Sequence, residues 1–309
     1  MELNQIYQGD ALEVLKTFPS ESIDCCITSP PYWGLRDYGV DNQLGLENDF
    51  NDYIKKLCDI FGELLRVLKK EGTLWVNIGD TYCAGNVEGF IDATDSERIY
   101  KSVGRKKRGG SKEVPRKSLM QIPARFVLEM LNRGWINRNE IIWYKPACMP
   151  TSAEDRFTID FEKIFFFVKS ERYYFEQQFD KSIWFDKDKR AITGGITKSG
   201  KSVTPEGQQY AISKSGSFRE DGMRNKRCVW KINTKPSHDP HFAAYPEELC
   251  ATPIKAGCPE GGTVLDPFMG SGTTALVAKK LKRNYIGIEL NPEYIKIAEQ
   301  RLRIPDPMF

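Results

Sequence analysis

The chain has 309 residues, of which 40% are hydrophobic, 12% aromatic and 28% charged, and its formal net charge is +3. This composition is typical of a globular protein and excludes a disordered chain, and no apolar run reaches the length of a membrane span. The eight cysteines form no C-x-x-C pair, which argues against a zinc site and against a disulfide framework. We therefore predict that the protein is located in the reducing cytoplasm.

The first half of the chain alternates between strand and helix patterns, as expected for an α/β fold. Apolar runs predict strands at Ile23 to Thr28, Thr73 to Ile78, Ile141 to Tyr144 and Lys163 to Val168. Apolar residues at helical spacing predict one helix over 54–68 and another over Ile122 to Asn132, which Gly134 closes.

Positive charge is concentrated in two segments. Arg98 to Lys117 contain nine Lys or Arg and one acid, and Lys181 to Lys231 contain twelve Lys or Arg and five acids. These segments carry +8 and +7, so the remainder of the chain carries −12 against the total of +3. The pattern indicates a surface that faces a polyanion, or solvated basic loops. Residues 170–235 are otherwise polar, and we predict an irregular lobe there.

From residue 246 the strand and helix patterns return. They predict a helix over 247–256, a strand over 263–265, a helix over 272–283, a strand at Tyr285 to Leu290 and a last helix that Asn291 caps. The predicted strand and the helix after it are joined by a glycine loop with the sequence Asp266-Pro267-Phe268-Met269-Gly270-Ser271-Gly272-Thr273-Thr274. This geometry lets a ligand approach the backbone.

The position of this glycine loop predicts the topology. Such a loop usually follows the first strand of a doubly wound sheet, with several βα units after it. Here only one more strand and its helix follow before the chain ends. The other strands must therefore come from the N-terminal residues, and we predict a mostly parallel, Rossmann-like α/β sheet in circularly permuted order.

A second motif, Ser29-Pro30-Pro31-Tyr32, follows the strand that ends at Thr28. Together with the glycine loop it resembles the motifs of the beta-class DNA amino-methyltransferases, the N4-cytosine and N6-adenine family that uses S-adenosylmethionine (SAM). The resemblance covers nearly the whole chain and weakens at about 85–118 and 175–235. It implies double-stranded DNA as substrate, a prokaryotic, nucleoid-associated protein that is a monomer or homodimer, and in some cases a cognate restriction endonuclease.

The resemblance also implies a domain organisation. Residues 1–170, with a basic loop at 86–118, match the catalytic half of the methyltransferase domain. Residues 171–235 occupy the place of an inserted target-recognition lobe, and 236–309 match the SAM-binding half. In the basic loop, phosphate contacts are expected from Arg105, Lys106, Lys107 and Arg108. Arg156 is expected to reach a phosphate, to shape the base pocket, or to be a surface charge.

Cofactor binding is assigned by the resemblance to Asp10, Thr252, Asp266, Phe268, Gly270, Ser271, Gly272, Thr273, Glu289 and Asn291. Gly270 and Gly272 allow close approach to the methionine moiety, and Asp266 binds its ammonium directly or through water. Glu289 accepts hydrogen bonds from the ribose hydroxyls, or favours the last helix through its dipole.

Two of these assignments rest on weaker patterns. Asp10 matches the family position that reaches the amino group of the cofactor's adenine. The same residue is equally suited to be a helix N-cap. Thr252 meets the carboxylate of the cofactor. His238 and His241 have i, i+3 spacing without a third ligand, so we predict no metal.

The catalytic residues implied are Ser29, Pro30, Pro31 and Tyr32. An exocyclic amine is a poor nucleophile, and Ser29 Oγ and the Pro30 carbonyl are suited to accept its two hydrogens. Tyr32, with Trp33, offers a wall against which a base turned out of the helix stacks.

The type of base follows from the first motif position, where Ser accompanies N4-cytosine methylation among relatives. N6-adenine methylation is the alternative. Methylation of a ring carbon of cytosine is disfavoured, because it would need a cysteine that follows a proline and this chain has none. Cys25 and Cys26 are expected to be buried. Other readings are a DNA-binding protein that holds SAM without turnover, and a SAM-dependent enzyme acting on RNA or a small molecule.

Overall fold

The computed structural model describes residues 1–35, 37–83, 111, 113–181, 201–203, 209–211, 223–234 and 245–303. The chain divides into two compact units. The larger comprises Met1–Glu176 and Cys228–Phe309, and the smaller comprises Gln177–Arg227. No helix in the described part of the chain is both long enough and apolar enough to cross a bilayer.

The described helices are α1 (Ala11–Lys16), α2 (Phe50–Val67), α3 (Ile122–Asn132), α4 (Glu247–Gly257), α5 (Thr273–Lys280) and α6 (Pro292–Arg303). The described strands are β1 (Gln5–Gln8), β2 (Ile23–Thr28), β3 (Leu68–Ile78), β4 (Ile136–Tyr144), β5 (Phe161–Val168), β6 (Phe179–Lys181), β7 (Lys201–Val203), β8 (Gln209–Ala211), β9 (Met223–Asn225), β10 (Val229–Lys231), β11 (Thr263–Asp266) and β12 (Asn284–Glu289).

Eight of the described strands form one sheet in the order β1-β12-β11-β2-β3-β5-β4-β10. All neighbours are parallel except β5, which runs antiparallel to β3 and β4. The C-terminal strands β11 and β12 therefore lie between the N-terminal strands β1 and β2. The predicted mostly parallel sheet in permuted order is confirmed.

The sheet is buried on both faces. In β2 and β3, Cys26 and Leu74 pack on one face with the apolar side of α2, whereas Cys25 and Trp75 pack on the other with α4. The Trp75 ring stacks on Phe166 of β5 with centroids 4.0 Å apart. Parallel strands covered on both faces read as continuous apolar runs, which is why β2 shows no alternation. Burial raises the pKa of the Cys25 thiol to about 12, in agreement with its expected packing role.

The chain reverses its direction of travel across the sheet between β11 and β2. From β11 it continues to β12 on one side, and from β2 it continues to β3 on the other. In open α/β sheets, ligands bind outside the carboxyl ends of the two strands that flank such a switch point. These ends are Thr28 and Asp266, from which both motifs continue.

The structure differs from the predicted elements at the starts of two strands and in residues 170–235. β3 begins at Leu68 rather than Thr73, and β4 begins at Ile136 rather than Ile141. Both added stretches contain exposed polar residues, so an apolar run does not mark them as strand. Residues 170–235 were expected to be irregular, yet β6 pairs with β9, β7 pairs with β8, and β10 extends the main sheet beside β4. Strands of three residues are too short to show an alternating pattern.

Candidate functional site

The two motifs meet at the carboxyl edge of the sheet. β2 and β11 are parallel neighbours, with Cys25 opposite Val264 and Cys26 opposite Leu265. At their ends, the Thr28 hydroxyl donates to Asp266 Oδ1 over 2.6 Å, and both residues are buried. The glycine loop and the Ser-Pro-Pro-Tyr turn therefore begin from two side chains in direct contact.

Asp266 accepts several hydrogen bonds from the protein. Oδ1 accepts hydrogen bonds from Thr28 and from the Phe268 N–H at 3.0 Å. The Thr274 and Tyr245 hydroxyls lie 2.6 Å and 3.1 Å from Oδ2 and are also closely hydrogen-bonded to each other, so one of the two donates to Oδ2. A carboxylate offers about four acceptor sites. Burial raises the pKa of Asp266, and these hydrogen bonds oppose that rise. The geometry thus disfavours the expected direct bond to an ammonium group, and the carboxylate holds the strand ends and the loop together.

The two glycines of the loop have different physical reasons for being glycine. Both are left-handed, with φ of 52° at Gly270 and 80° at Gly272. A Cβ at Gly270 would meet open space, whereas one at Gly272 would lie 2.8 Å from Cβ of Ala298 on α6. Gly270 therefore leaves room for a ligand, and Gly272 allows helix α6 to approach the start of α5.

Glu289, at the end of β12, joins the loop to the last helix. Its Oε2 accepts from the Gly270 N–H at 2.7 Å and its Oε1 from the Asn291 N–H at 2.8 Å. Burial raises the pKa of this carboxyl. The Asn291 side chain caps α6 by accepting from the Glu293 N–H at 2.9 Å, as predicted. A partly buried carboxylate thus lies beside the glycine loop at the edge where ribose hydroxyls are expected.

Two of the other expected cofactor residues, Asp10 and Phe268, also lie at this edge. Asp10 follows β1 and caps α1, accepting from the Glu13 N–H at 3.1 Å, so the N-cap alternative is observed. Its neighbour Gly9 donates to the Glu289 carbonyl at 3.0 Å, which brings Asp10 to the same edge. Phe268 packs partly against the core. Thr252 is half-buried on α4, and no described residue hydrogen-bonds its side chain.

Arg301 contacts the glycine loop and was not predicted from the sequence. From α6, its Nη1 donates to the Ser271 carbonyl at 2.6 Å, to Ser271 Oγ at 2.9 Å and to Thr273 Oγ1 at 3.1 Å. Burial lowers the pKa of this guanidinium. Nothing in the sequence distinguishes this arginine from others on an amphipathic helix. The expected cofactor residues Ser271 and Thr273 are thereby fixed to α6.

The carbonyls of the Ser-Pro-Pro-Tyr turn are used unequally. The Pro31 carbonyl accepts from the Tyr53 hydroxyl at 2.9 Å. No described residue donates to the Pro30 carbonyl. The Ser29 hydroxyl donates to the Tyr32 hydroxyl over a long 3.4 Å. Ser29 and Pro30 therefore keep acceptor lone pairs for a further donor.

Tyr32 is held by a network of polar side chains. Its hydroxyl donates to Glu162 Oε2 at 2.7 Å, and Asn77 donates to the same oxygen at 3.0 Å. Lys145 pairs closely with the other oxygen of Glu162. Burial, followed by the charge of Glu162, raises the pKa of Tyr32. The sequence places Lys145 and Glu162 in different segments, so only the β4–β5 pairing reveals this network.

The aromatic rings of the turn also have distinct surroundings. A Cβ at Gly79 would lie 2.6 Å from Cε2 of Tyr32, so the Tyr32 ring packs on bare backbone at the end of β3. Trp33 is buried, packs edge-on to Phe50, and donates to the Glu47 carbonyl at 2.9 Å. The expectation that Trp33 forms part of a base-stacking wall is therefore wrong, because its ring belongs to the core.

The expected DNA-binding residues are only partly described. Arg105, Lys106, Lys107 and Arg108 lie outside the described residues, as do His238 and His241. Arg156 is exposed, and its guanidinium lies 3.9 Å from the centre of the Tyr82 ring. Within the described ranges no group of three or more His, Cys, Asp or Glu could hold a metal ion.

Comparison with known sequences gives matches along nearly the whole chain. A family model described as DNA methylase (N6_N4_Mtase) matches residues 23–300. The Type II methyltransferase M.Cfr9I of Citrobacter freundii is 41% identical over 308 residues, covering 99% of this chain and 90% of that protein. The Type II methyltransferase M.SmaI of Serratia marcescens is 38% identical, covering 96% and 90%.

Solved structures share the fold at low identity. The PvuII DNA methyltransferase (cytosine-N4-specific) has a TM-score of 0.62 at 21% identity, covering all of this chain and 89% of the other. A DNA modification methylase of Thermus thermophilus, TTHA0409, solved with S-adenosyl-L-methionine, has a TM-score of 0.61 at 24% identity, covering 99% and 96%.

Proposed function

This chain belongs to the DNA methylase family of amino-methyltransferases, and we propose that it methylates the exocyclic N4 of cytosine at a specific site in double-stranded DNA, with SAM as methyl donor. The observation that carries the proposal is the contact between Thr28 and Asp266, because it joins the cofactor loop to the Ser-Pro-Pro-Tyr turn. Those are the two parts that methyl transfer to an amine requires at one place.

The residues around the glycine loop fit a SAM molecule. Gly270 opens space beside the loop, and Glu289 offers a carboxylate next to it. We assign the ribose hydroxyls to Glu289, the adenine end to Asp10 and the methionine moiety to the loop between Phe268 and Thr273. Asp266 supports this loop from behind. The solved complex of TTHA0409 with S-adenosyl-L-methionine supports the choice of cofactor.

Ser29 and Pro30 would prepare the amine. Because the Ser29 hydroxyl points its hydrogen toward Tyr32, its lone pairs remain available for one N–H of the amine. The Pro30 carbonyl would accept the other N–H, and together they shift the nitrogen toward a nucleophilic geometry. When bound, SAM supplies an electrophilic methyl group on its sulfonium. The Glu162–Tyr32 hydrogen bond would keep the turn in position during the reaction.

The choice of cytosine rests on Ser29 and on the similarity to a cytosine-N4-specific enzyme. N6-adenine methylation uses the same kind of acceptors and is the alternative product that an assay must distinguish. We further propose that the basic unit Gln177–Arg227 recognises the DNA sequence. The Type II names of the relatives support a partner restriction endonuclease with the same target.

The proposal is tested by incubating the protein with isotope-labelled SAM and mixed-sequence DNA, digesting the DNA to nucleosides and identifying the labelled product. We expect labelled N4-methylcytosine, at a site that sequencing of the modified DNA then maps. Labelled N6-methyladenine would replace the assigned base, and label only in RNA or in no nucleoside would contradict the function. Heat-denatured protein serves as the blank.

A further inference from the structure

The loop 145–160, which joins β4 to β5, lies at the same edge of the sheet as the two motifs. β4 is antiparallel to β5, and β5 is antiparallel to β3, so β4 ends at the edge where β2 and β3 end. The loop is closed at its base by a hydrogen bond from the Lys145 N–H to the Asp160 carbonyl at 2.7 Å. Lys145 and Glu162, beside its two ends, form the ion pair that holds Tyr32.

This loop presents two large apolar side chains to solvent. Phe157 is 95% exposed and Met149 is 88% exposed. A phenylalanine normally buries most of its ring in a core or an interface. Phe157 precedes Glu162 by five residues, so their Cα atoms lie within about 18 Å of each other. An uncovered aromatic ring is therefore near the turn that carries the acceptors for the amine.

The residues next to Phe157 hold this part of the loop in place. The Arg156 guanidinium stacks on Tyr82 at 3.9 Å, and Asp155 pairs with Lys117 at 2.6 Å. Lys117 is the last residue of the basic segment that begins at Arg98. The loop thus contacts the protein at two points, one of them the last residue of the basic segment, while the ring of Phe157 is left outside.

We propose that Phe157 is a wedge that enters the base stack of DNA at the gap left when the target base turns out. This inference rests on the proposed function. Extrusion of a base leaves its neighbours without a stacking partner, and inserted apolar side chains fill such spaces in bent or distorted DNA. A ring that lines the pocket for the extruded base would have protein behind it. At 95% exposure Phe157 has no such cover and suits a duplex instead.

The test uses a duplex oligonucleotide that carries the methylation site mapped above, with 2-aminopurine in place of the target base to report its extrusion by fluorescence. We compare the wild-type protein with Phe157→Ala, Phe157→Trp and the control Leu128→Ala, which removes a side chain 63% exposed on α3. DNA affinity is measured by anisotropy on the same duplex, and on a second one in which the target base is an unpaired bulge.

We expect Phe157→Ala to weaken binding of the paired duplex about tenfold or more and to reduce the fluorescence increase. We expect Phe157→Trp to keep the affinity and the fluorescence increase of the wild type, and Leu128→Ala to change neither quantity. In the bulged duplex the target base is already outside a closed stack. Phe157→Ala should therefore lose less than about threefold in affinity for this duplex. Equal losses of affinity for both duplexes would show instead that Phe157 lines the pocket of the extruded base. No loss of affinity for either duplex would overturn any role of Phe157 in binding.

Failure of this inference is distinguishable from failure of the proposed function. If the wild-type protein neither methylates DNA nor raises the fluorescence of the duplex, the proposed function fails. If the wild-type protein does both and Phe157→Ala matches it, only the wedge is wrong. Because Phe157 is exposed, its variants should keep the thermal midpoint of the wild type, which a melting curve checks.

Discussion

The hydroxyl of Thr28 donates a 2.6 Å hydrogen bond to the carboxylate of Asp266, although 238 residues separate them in the chain. Thr28 is the last residue of β2, and Ser29 follows it directly. Asp266 is the last residue of β11 and opens the glycine loop. The contact therefore fixes the distance between the proposed methyl acceptor site and the proposed methyl donor site.

Thr28→Val tests this contact, because valine has nearly the same shape and lacks the hydroxyl. The buried carboxylate loses one of its hydrogen-bond donors, so we expect the free energy of unfolding to fall by about 1–3 kcal/mol. The matched control is Thr17→Val, at an exposed threonine whose hydroxyl bonds only a helix carbonyl. It should change stability by less than about 0.5 kcal/mol. Urea denaturation measures both, and equal effects would argue against the contact.

Ser29→Ala should affect chemistry rather than cofactor binding. Removing one acceptor of the amine is expected to lower kcat by about 10²- to 10³-fold, as loss of one aligned hydrogen bond does in other active sites. Ser29 has no hydrogen bond to the glycine loop, so the Kd for SAM should stay within about twofold of the wild-type value. Calorimetry measures Kd. A parallel loss of SAM affinity would mean that the serine serves the cofactor.

Gly79→Ala should displace Tyr32. The added Cβ would lie 2.6 Å from the Tyr32 ring, so the ring must move from its hydrogen bond with Glu162. We expect a loss of about 1–3 kcal/mol in stability and a lower kcat. Gly62→Ala on α2 is the control, since a Cβ there meets open space and alanine favours a helix by about 0.5–1 kcal/mol. Wild-type activity in Gly79→Ala would show that the ring position is unimportant.

The pH dependence of SAM binding should report Glu289. Burial raises the pKa of this carboxyl in the free protein, and donation from ribose hydroxyls would favour its ionised form. Binding is therefore strongest above that raised pKa and weakens as the pH falls through it.

Glu289→Gln keeps the size of the side chain and does not titrate. The variant should bind SAM more weakly at neutral pH and show a flatter profile between neutral and mildly acidic pH. Calorimetric titrations across that range measure both profiles. A wild-type profile that stays flat, or a variant that keeps the slope of the wild type, would remove Glu289 from the ribose site.

The local signals in the sequence were sufficient for the strands and loops that carry the site. β2, α3, β11 and the cap of α6 follow from apolar runs, glycine positions and Asn291. They were insufficient for β10 and for the starts of β3 and β4, whose pairing depends on neighbours distant in the chain. Short or half-polar strands acquire their stability from those neighbours and show no pattern of their own.

The roles of individual side chains were harder to predict than their positions. Asp266 was expected to bind an ammonium group directly or through water, and hydrogen bonds from the protein to its carboxylate disfavour the direct bond. Trp33 was expected beside the base, but its ring is in the core. Arg301 carried no signal at all. In each case the outcome depends on which partners reach the side chain in three dimensions, and hydrogen-bond partners are not encoded in residue type.

By itself the sequence determined the kind of fold and the identity of the two motifs, because glycine and proline act on the backbone wherever they occur and apolar runs must be buried. Only the tertiary structure decided that Thr28 meets Asp266, that Glu162 holds Tyr32, and that Phe157 remains uncovered. Those facts follow from strand order and register, which bring together residues whose separation along the chain carries no information about their distance in space.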